Sequence, residues 1–356
     1  MLFAGTAESQ TINKKADKKL INKVIKWQMD NINEVDTFND THWTRAALYR
    51  GMVEWAEYTN SKSLYKYLYK MGERNHWGMQ PRTYDADDIC IGQTYIKLFY
   101  KYNEPRIIEK VIERMDSVIA KPMTMPLSVA PAGKYNRDRW GWCDALYMAP
   151  PAYAMISKMK NDKKYLNYAV SEFKVTTDSL YNFKEHLFYR DLRWVKRMEP
   201  SGKQLFWGRG NGWVHAGLAF MLQFTPESDP SYAYFLKMYK DMSKAILALQ
   251  DKNGSWHTSM MDAESYPEPE NSASGFFVYG LAWGVNNGIL KDAKYKTGAI
   301  KGWNALKSYV YKNGKLGYVQ PVGHAPYKNL TKDQTHVYGV GAFLLAGTEM
   351  GKMTAP

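Results

Sequence analysis

The chain has 356 residues, 45% hydrophobic and 23% charged, enough to bury one large core or two smaller ones. Its net charge of +13 comes without a dense basic block, lysines being scattered as in Lys14-Lys15 and Lys18-Lys19. That argues against a nucleic-acid footprint and for solvated faces that attract polyanions. No window approaches the ~20 apolar residues of a membrane span, and no Cys or His spacing matches a metal site; no membrane, metal or cofactor is expected.

In chain order, the start Met1-Leu2-Phe3-Ala4-Gly5-Thr6-Ala7 is like the tail of a secretory signal peptide. Residues 1–10 are therefore set apart as a leader remnant or disordered start. A periplasmic or secreted compartment is expected, with a cytoplasmic one as the alternative. Beyond them helical periodicity dominates and strand alternation is nearly absent. The predicted helices span 12–30, 41–59, 62–73, 87–102, 105–121, 144–160, 163–180, 211–225, 230–250, 271–289, 294–312 and 334–350. Odd-numbered helices are amphipathic and rich in Lys and Glu, as in 107–119 and 165–180. Even-numbered ones are apolar all round and rich in small residues, as in 145–155, 216–222, 275–284 and 339–347.

Six exposed helices alternating with six buried ones predict an all-α fold, an (α/α)6 barrel of six helical hairpins. No Pro/Ser-rich linker divides it, so 11–356 reads as a single catalytic domain, a monomer or homodimer. A superhelical solenoid is the structural alternative, but no motif repeats at a fixed period. Cys90 and Cys143 lie in apolar helical surroundings and read as free buried thiols.

The segments before the buried helices carry the chemistry: Thr41-His42-Trp43, Asp85-Ala86-Asp87-Asp88, Trp140-Gly141-Trp142-Cys143-Asp144, Trp207-Gly208-Arg209-Gly210-Asn211-Gly212-Trp213, Asn271-Ser272 and Asp333-Gln334-Thr335-His336. If the inner helices run parallel, all six entrances meet at one mouth, where helix N-termini attract anions. The glycines of 207–213 suit a tight turn with φ > 0 that aims a guanidinium and two indoles at one spot. Aromatic plates and N–H forks are what a sugar bearing a carboxylate needs. Asp144 sits among apolar residues, which predicts a raised pKa suited to a general acid; a helix N-cap is the competing reading. Of Asp85, Asp87 and Asp88, one suffices as a cap and another can face the mouth. His42, His215 and His336 are weaker candidates for orienting a water.

Taken together, Asp87-Asp88…Ile91-Gly92, Trp142-Cys143-Asp144-Ala145-Leu146-Tyr147-Met148 and the glycine motif resemble the unsaturated uronyl hydrolases of glycoside hydrolase families 105 and 88. The segments 274–276, 284–288 and Tyr338-Gly339-Val340-Gly341 are also similar to family 105, so the resemblance spans about residues 40–350. It implies an (α/α)6 barrel and a glycosidase acting on unsaturated galacturonyl or glucuronyl ends. Asp144 would be the catalytic acid and Asp87 the second carboxylate, with Asp88 as its alternative. Trp207, Arg209 and Trp213 match substrate-site residues of the glycine motif, and Asp88, His42, Trp43, Trp142, Arg190 and His336 are the further candidates for binding substrate. The chain departs from family 105 by having Arg190 where a His is common and Asp87-Asp88 where an Asp-His-like pair is common. The implied reaction is hydration of the C4=C5 bond that polysaccharide lyases leave on a non-reducing uronic acid. The alternatives are acid/base hydrolysis of saturated glycans on the same barrel, non-catalytic glycan binding, or sugar epimerisation, against which the scatter of only seven His argues.

Overall fold

The computed structural model describes residues 13–128 and 137–354, so the expectation for residues 1–10 lies outside it. Its helices are α1 (Lys14–Asp30), α2 (Ile32–Val35), α3 (Trp43–Thr59), α4 (Lys62–Arg74), α5 (Ala86–Ile89), α6 (Ile91–Tyr102), α7 (Glu109–Ala120), α8 (Ala145–Met148), α9 (Pro150–Lys160), α10 (Lys163–Leu180), α11 (Gly208–Phe224), α12 (Pro230–Ala248), α13 (Asn271–Asn286), α14 (Ala293–Ser308) and α15 (Val337–Lys352).

Helices α3, α6, α9, α11, α13 and α15 each pack on the next, and α15 returns to α3, closing a ring. Helices α1, α4, α10, α12 and α14 lie outside against members of that ring, and α7 packs on α10. This is an (α/α)6 barrel, and the alternation of burial along the sequence is its cause. The inner helices are buried on all sides, as in α11, where every residue from Gly208 to Leu222 is covered. Such helices must sit inside. One hydrophobic cluster reaches from Ile21 to Met353 through the ring.

Several boundaries differ from the sequence reading, for physical reasons. The helix expected over 144–160 breaks into α8 and α9 because Pro150 and Pro151 cannot continue α8 but suit the first turn of α9. The one expected over 87–102 divides at Cys90 into α5 and α6. A short antiparallel pair, Tyr181–Asn182 with Leu187–Phe188, joins the helical elements and was not anticipated.

The largest correction concerns the glycine motif. It is not a turn before the helix but the first turns of α11 itself, capped by Trp207 at φ −75° and ψ 126°. The glycines are needed for close approach, not for positive φ. A Cβ on Gly208 would lie 2.2 Å from the His257 carbonyl oxygen, and one on Gly210 would lie 2.8 Å from the Trp207 ring and 3.0 Å from Cys143 Sγ.

Candidate active site

At the N-terminal mouth of the inner ring lies a cavity of about 420 Å3, lined by His42, Trp43, Arg82, Asp87, Arg137, Trp142, Asp144, Met148, Arg190 and residues 322–324. This is a volume typical of small-ligand sites. A second cavity, of about 390 Å3, opens at the other end, beside the ends of α11, α13 and α15. Its one carboxylate among the described lining residues, Glu349, is 2.7 Å from Lys352 Nζ.

Asp144 precedes α8 but makes no side-chain cap, so the N-cap reading fails in this structure. Its Oδ2 is 3.4 Å from Cys143 Sγ and 3.8 Å from Arg190 Nε. Burial pushes its pKa up, opposed by the positive fields of Arg190 and Arg209. The preceding loop is strained: Trp140 takes φ +52°, uncommon for a bulky side chain, and its carbonyl accepts from Trp142 N at 2.8 Å. Cys143 N donates to the Arg190 carbonyl at 2.8 Å, fixing the Asp144 loop to the segment after the short strand Leu187–Phe188.

The three acids around α5 divide the work. Asp85 is the cap, accepting from Asp87 N at 3.0 Å, and it also pairs with Arg82 and Arg137. Asp88 is clamped by Arg82, including the Arg82 backbone N–H at 2.7 Å, so it is an anchor and not the cap. Asp87 is the one that lines the cavity, with Arg137 Nη2 at 2.8 Å from its Oδ2. Burial, together with the charges of Asp85 and Asp144, raises its pKa to about 7, against the pull of Arg137. Two carboxyls with raised pKa in one cavity can share a proton and pass it to a bound group.

Trp43 stacks on Tyr338 with centroids 5.4 Å apart, and His42 stacks on Phe38 at 3.8 Å. Trp142 lines the cavity with the Arg137 guanidinium 5.2 Å from its ring centroid. These residues form an aromatic rim.

Trp207, Arg209, Trp213 and His336 do not line the cavity. Arg209 is fully buried between the Trp207 and Tyr338 rings, and its Nη1 and Nη2 donate to the Gln320 and Pro321 carbonyls at 2.9 and 3.0 Å. Trp207 Nε1 donates to Gln320 Oε1 at 3.0 Å. Trp213 packs on Phe276 and Tyr147 in the core. The fork expected to meet a carboxylate therefore holds the loop before α15, and its charge reaches Asp144 only through space. His336 stacks on Tyr338 behind Trp43, and His215 is buried with Nε2 at 2.9 Å from Ser243 Oγ. The sequence reading passed over Arg82, Arg137 and His324. The two arginines carry a legible signal, since clustered carboxylates at a helix entrance need counter-charges nearby.

Comparison with known proteins adds the family. The profile of Glycosyl Hydrolase Family 88 matches residues 20–354. An unsaturated 3S-rhamnoglycuronyl hydrolase of Alteromonas sp. (strain LOR) is 35% identical, over 94% of this chain and 85% of its own length. A protein of the same name from Formosa agariphila is 33% identical, over 93% of this chain and 89% of its length. The solved structure of a glycosyl hydrolase family 88 protein from Bacteroides vulgatus superposes with a TM-score of 0.85 at 28% identity, covering 96% of this chain and 99% of that one.

Proposed function

Since this chain belongs to glycosyl hydrolase family 88, we propose that its barrel mouth is where it does what its relatives are named for. It is a glycosidase that removes a 4,5-unsaturated uronic acid from the non-reducing end of lyase-generated oligosaccharides by hydrating the C4=C5 double bond. The observation that carries the assignment of residues is the pair Asp87 and Asp144. Both line one cavity, and burial raises both above the ordinary carboxylate range.

Asp144, protonated, gives its proton to C4 while electrons of the double bond form the C4–H bond. The resulting cation at C5 is shared with the ring oxygen. Asp144, now a carboxylate, draws a proton from the water that adds at C5. The hemiketal so formed opens and releases the next sugar. Because one residue serves as acid and then base, the carboxylate-spacing rule for saturated glycosides does not apply. Asp87 shares the proton economy of the site and is placed to hold a sugar hydroxyl. Arg190 takes the place proposed from sequence for Arg209 as the partner of the uronate carboxylate, since its guanidinium lines the cavity and that of Arg209 is committed to backbone carbonyls. Trp43 and Trp142 are stacking faces for the ring.

The names of the curated relatives favour a uronate linked to rhamnose as the substrate. Incubation with lyase digests of ulvan, rhamnogalacturonan and glycosaminoglycans tests this, read by loss of the ultraviolet absorbance of the unsaturated uronate. Consumption of the rhamnose-containing products before those of glycosaminoglycans is expected; no consumption in any digest would overturn the assignment.

A further inference from the structure

The short helix α8 has Asp144 at its start and Met148 at its end, and both line the cavity. Its last carbonyls cannot be satisfied by the chain that follows. The residues three and four beyond Tyr147 are Pro150 and Pro151, which have no N–H to offer. Three beyond Met148 stands Pro151 again, and Ala152 N, four beyond, turns instead to the Ala149 carbonyl at 3.0 Å. Two buried acceptors must therefore find a donor outside their own helix, because leaving them unpaired is costly.

One side chain meets both. Gln93, fully buried on α6, donates from Nε2 to the Tyr147 carbonyl at 2.8 Å and to the Met148 carbonyl at 3.0 Å. Arg50 enforces that orientation. Its Nε donates to Gln93 Oε1 at 3.2 Å, and a guanidinium has no acceptor, so Oε1 must face Arg50 and Nε2 the carbonyls. Arg50 is itself fully buried on α3, ion-paired with Glu54 one turn on, its guanidinium 4.2 Å from the Phe220 ring centroid. Lys97 Nζ, 3.2 Å from Glu54, completes the row. Neither Gln93 nor Arg50 lines the cavity. Gln93 follows Asp87 by six residues, so this crossbar joins the wall that presents Asp87 to the turn that presents Asp144.

We propose that Gln93, oriented by Arg50, is a positioning residue for the reaction: by holding the end of α8 it sets where Asp144 stands relative to Asp87. This role rests on Asp144 being the acid of the proposed reaction. A helix of a single turn moves as one body, so freeing its last carbonyls shifts the carboxyl at its start. Proton transfer tolerates little error, and a displacement of about 1 Å caused by a remote substitution can cost about 10²-fold in rate.

Two variants of the full chain test this. Gln93→Met keeps the volume and loses all three bonds; Gln93→Glu keeps an acceptor for Arg50 but offers the carbonyls no N–H. Each is assayed across pH, below its melting temperature, on a lyase-derived unsaturated disaccharide that the wild type consumes, read by ultraviolet absorbance. In both, kcat is expected to fall about 10- to 100-fold while KM stays within about twofold of wild type. The alkaline limb of kcat/KM should move to lower pH, because a carboxyl held less firmly gains water and loses part of the burial that raises its pKa. Should Gln93→Met fail to fold once Arg50 loses its acceptor, Gln93→Glu carries the test. A lowered melting temperature with wild-type kcat and an unmoved limb, or failure of both variants to fold, would make Gln93 a purely structural residue and overturn the proposal. If Asp144→Asn is inactive in that case, only the positioning role falls; wild-type rates in Asp144→Asn would remove the acid itself, and the positioning role with it.

Discussion

Two inner helices enter the barrel through segments that look alike in sequence, Trp140–Asp144 and Trp207–Trp213, each with two tryptophans, glycine and a charged residue. They do opposite work. The first lines the cavity and presents Asp144; the second is packed out of sight, with Arg209 spent on two carbonyls of a neighbouring loop. What separates them is where the backbone donors and acceptors lie. At α11 the Gln320 and Pro321 carbonyls come within reach of a buried guanidinium. Asp144, by contrast, makes no side-chain cap on α8 and keeps its carboxyl in the cavity.

The largest effect that tests this contrast is Asp144→Asn. The amide cannot donate the proton, so kcat should fall about 10²–10⁴-fold with the melting temperature nearly unchanged. Wild-type-like rates would move the acid elsewhere. Arg209→Lys should do the reverse. It loses the two-pronged grip on the Gln320 and Pro321 carbonyls, which costs stability on the order of 2–4 kcal/mol, while KM for the unsaturated oligosaccharide stays close to wild type at every salt concentration. A raised KM without destabilisation would mean that Arg209 reaches substrate after all.

Asp87 and Asp88 sharpen the comparison on the other wall. Asp87→Asn should lose more activity than Asp88→Asn, which loosens the Arg82 clamp and costs about 1–2 kcal/mol of stability, Arg82 being half-exposed. Asp87 also sets a pH signature. Its folded pKa of about 7 lies well above that of an ordinary aspartate, so its contribution to stability is complete at low pH and is lost as pH rises from about 4 through 7. Thermal melts of Asp87→Asn at pH 5 and pH 8 should therefore differ less than those of the wild type. A gap of unchanged size would show that Asp87 does not titrate there.

The smallest effect is a shift of a pH limb. Activity needs protonated Asp144, so kcat/KM should fall on the alkaline side. The positive field of Arg190 lowers the pKa of that acid. Arg190→Gln, besides weakening binding, should thus move the alkaline limb to higher pH. A limb that stays put would remove Arg190 from contact with the acid.

The barrel was legible in the sequence because burial alternates helix by helix, and a helix such as 271–286, apolar on every face, has nowhere to go but inside. Asp144 was legible because its neighbours are apolar on both sides. The division of labour among Asp85, Asp87 and Asp88 was only half legible: which acid caps depends on backbone angles that adjacent identical residues do not reveal. The role of Arg209 was not legible, because its acceptors are carbonyls more than a hundred residues away. Nor was His324, a loop residue brought to the rim by Arg209 holding the Gln320 and Pro321 carbonyls just before it.

The central claim, that the enzyme adds water across a double bond and does not displace a saturated glycoside, is tested most directly with a matched pair of disaccharides. The two share the second sugar and linkage and differ only in the C4=C5 bond of the terminal uronate. The account predicts that the unsaturated member loses its ultraviolet absorbance as the second sugar is released, while the saturated member stays intact under the same conditions. Release of the second sugar from both at similar rates would contradict it.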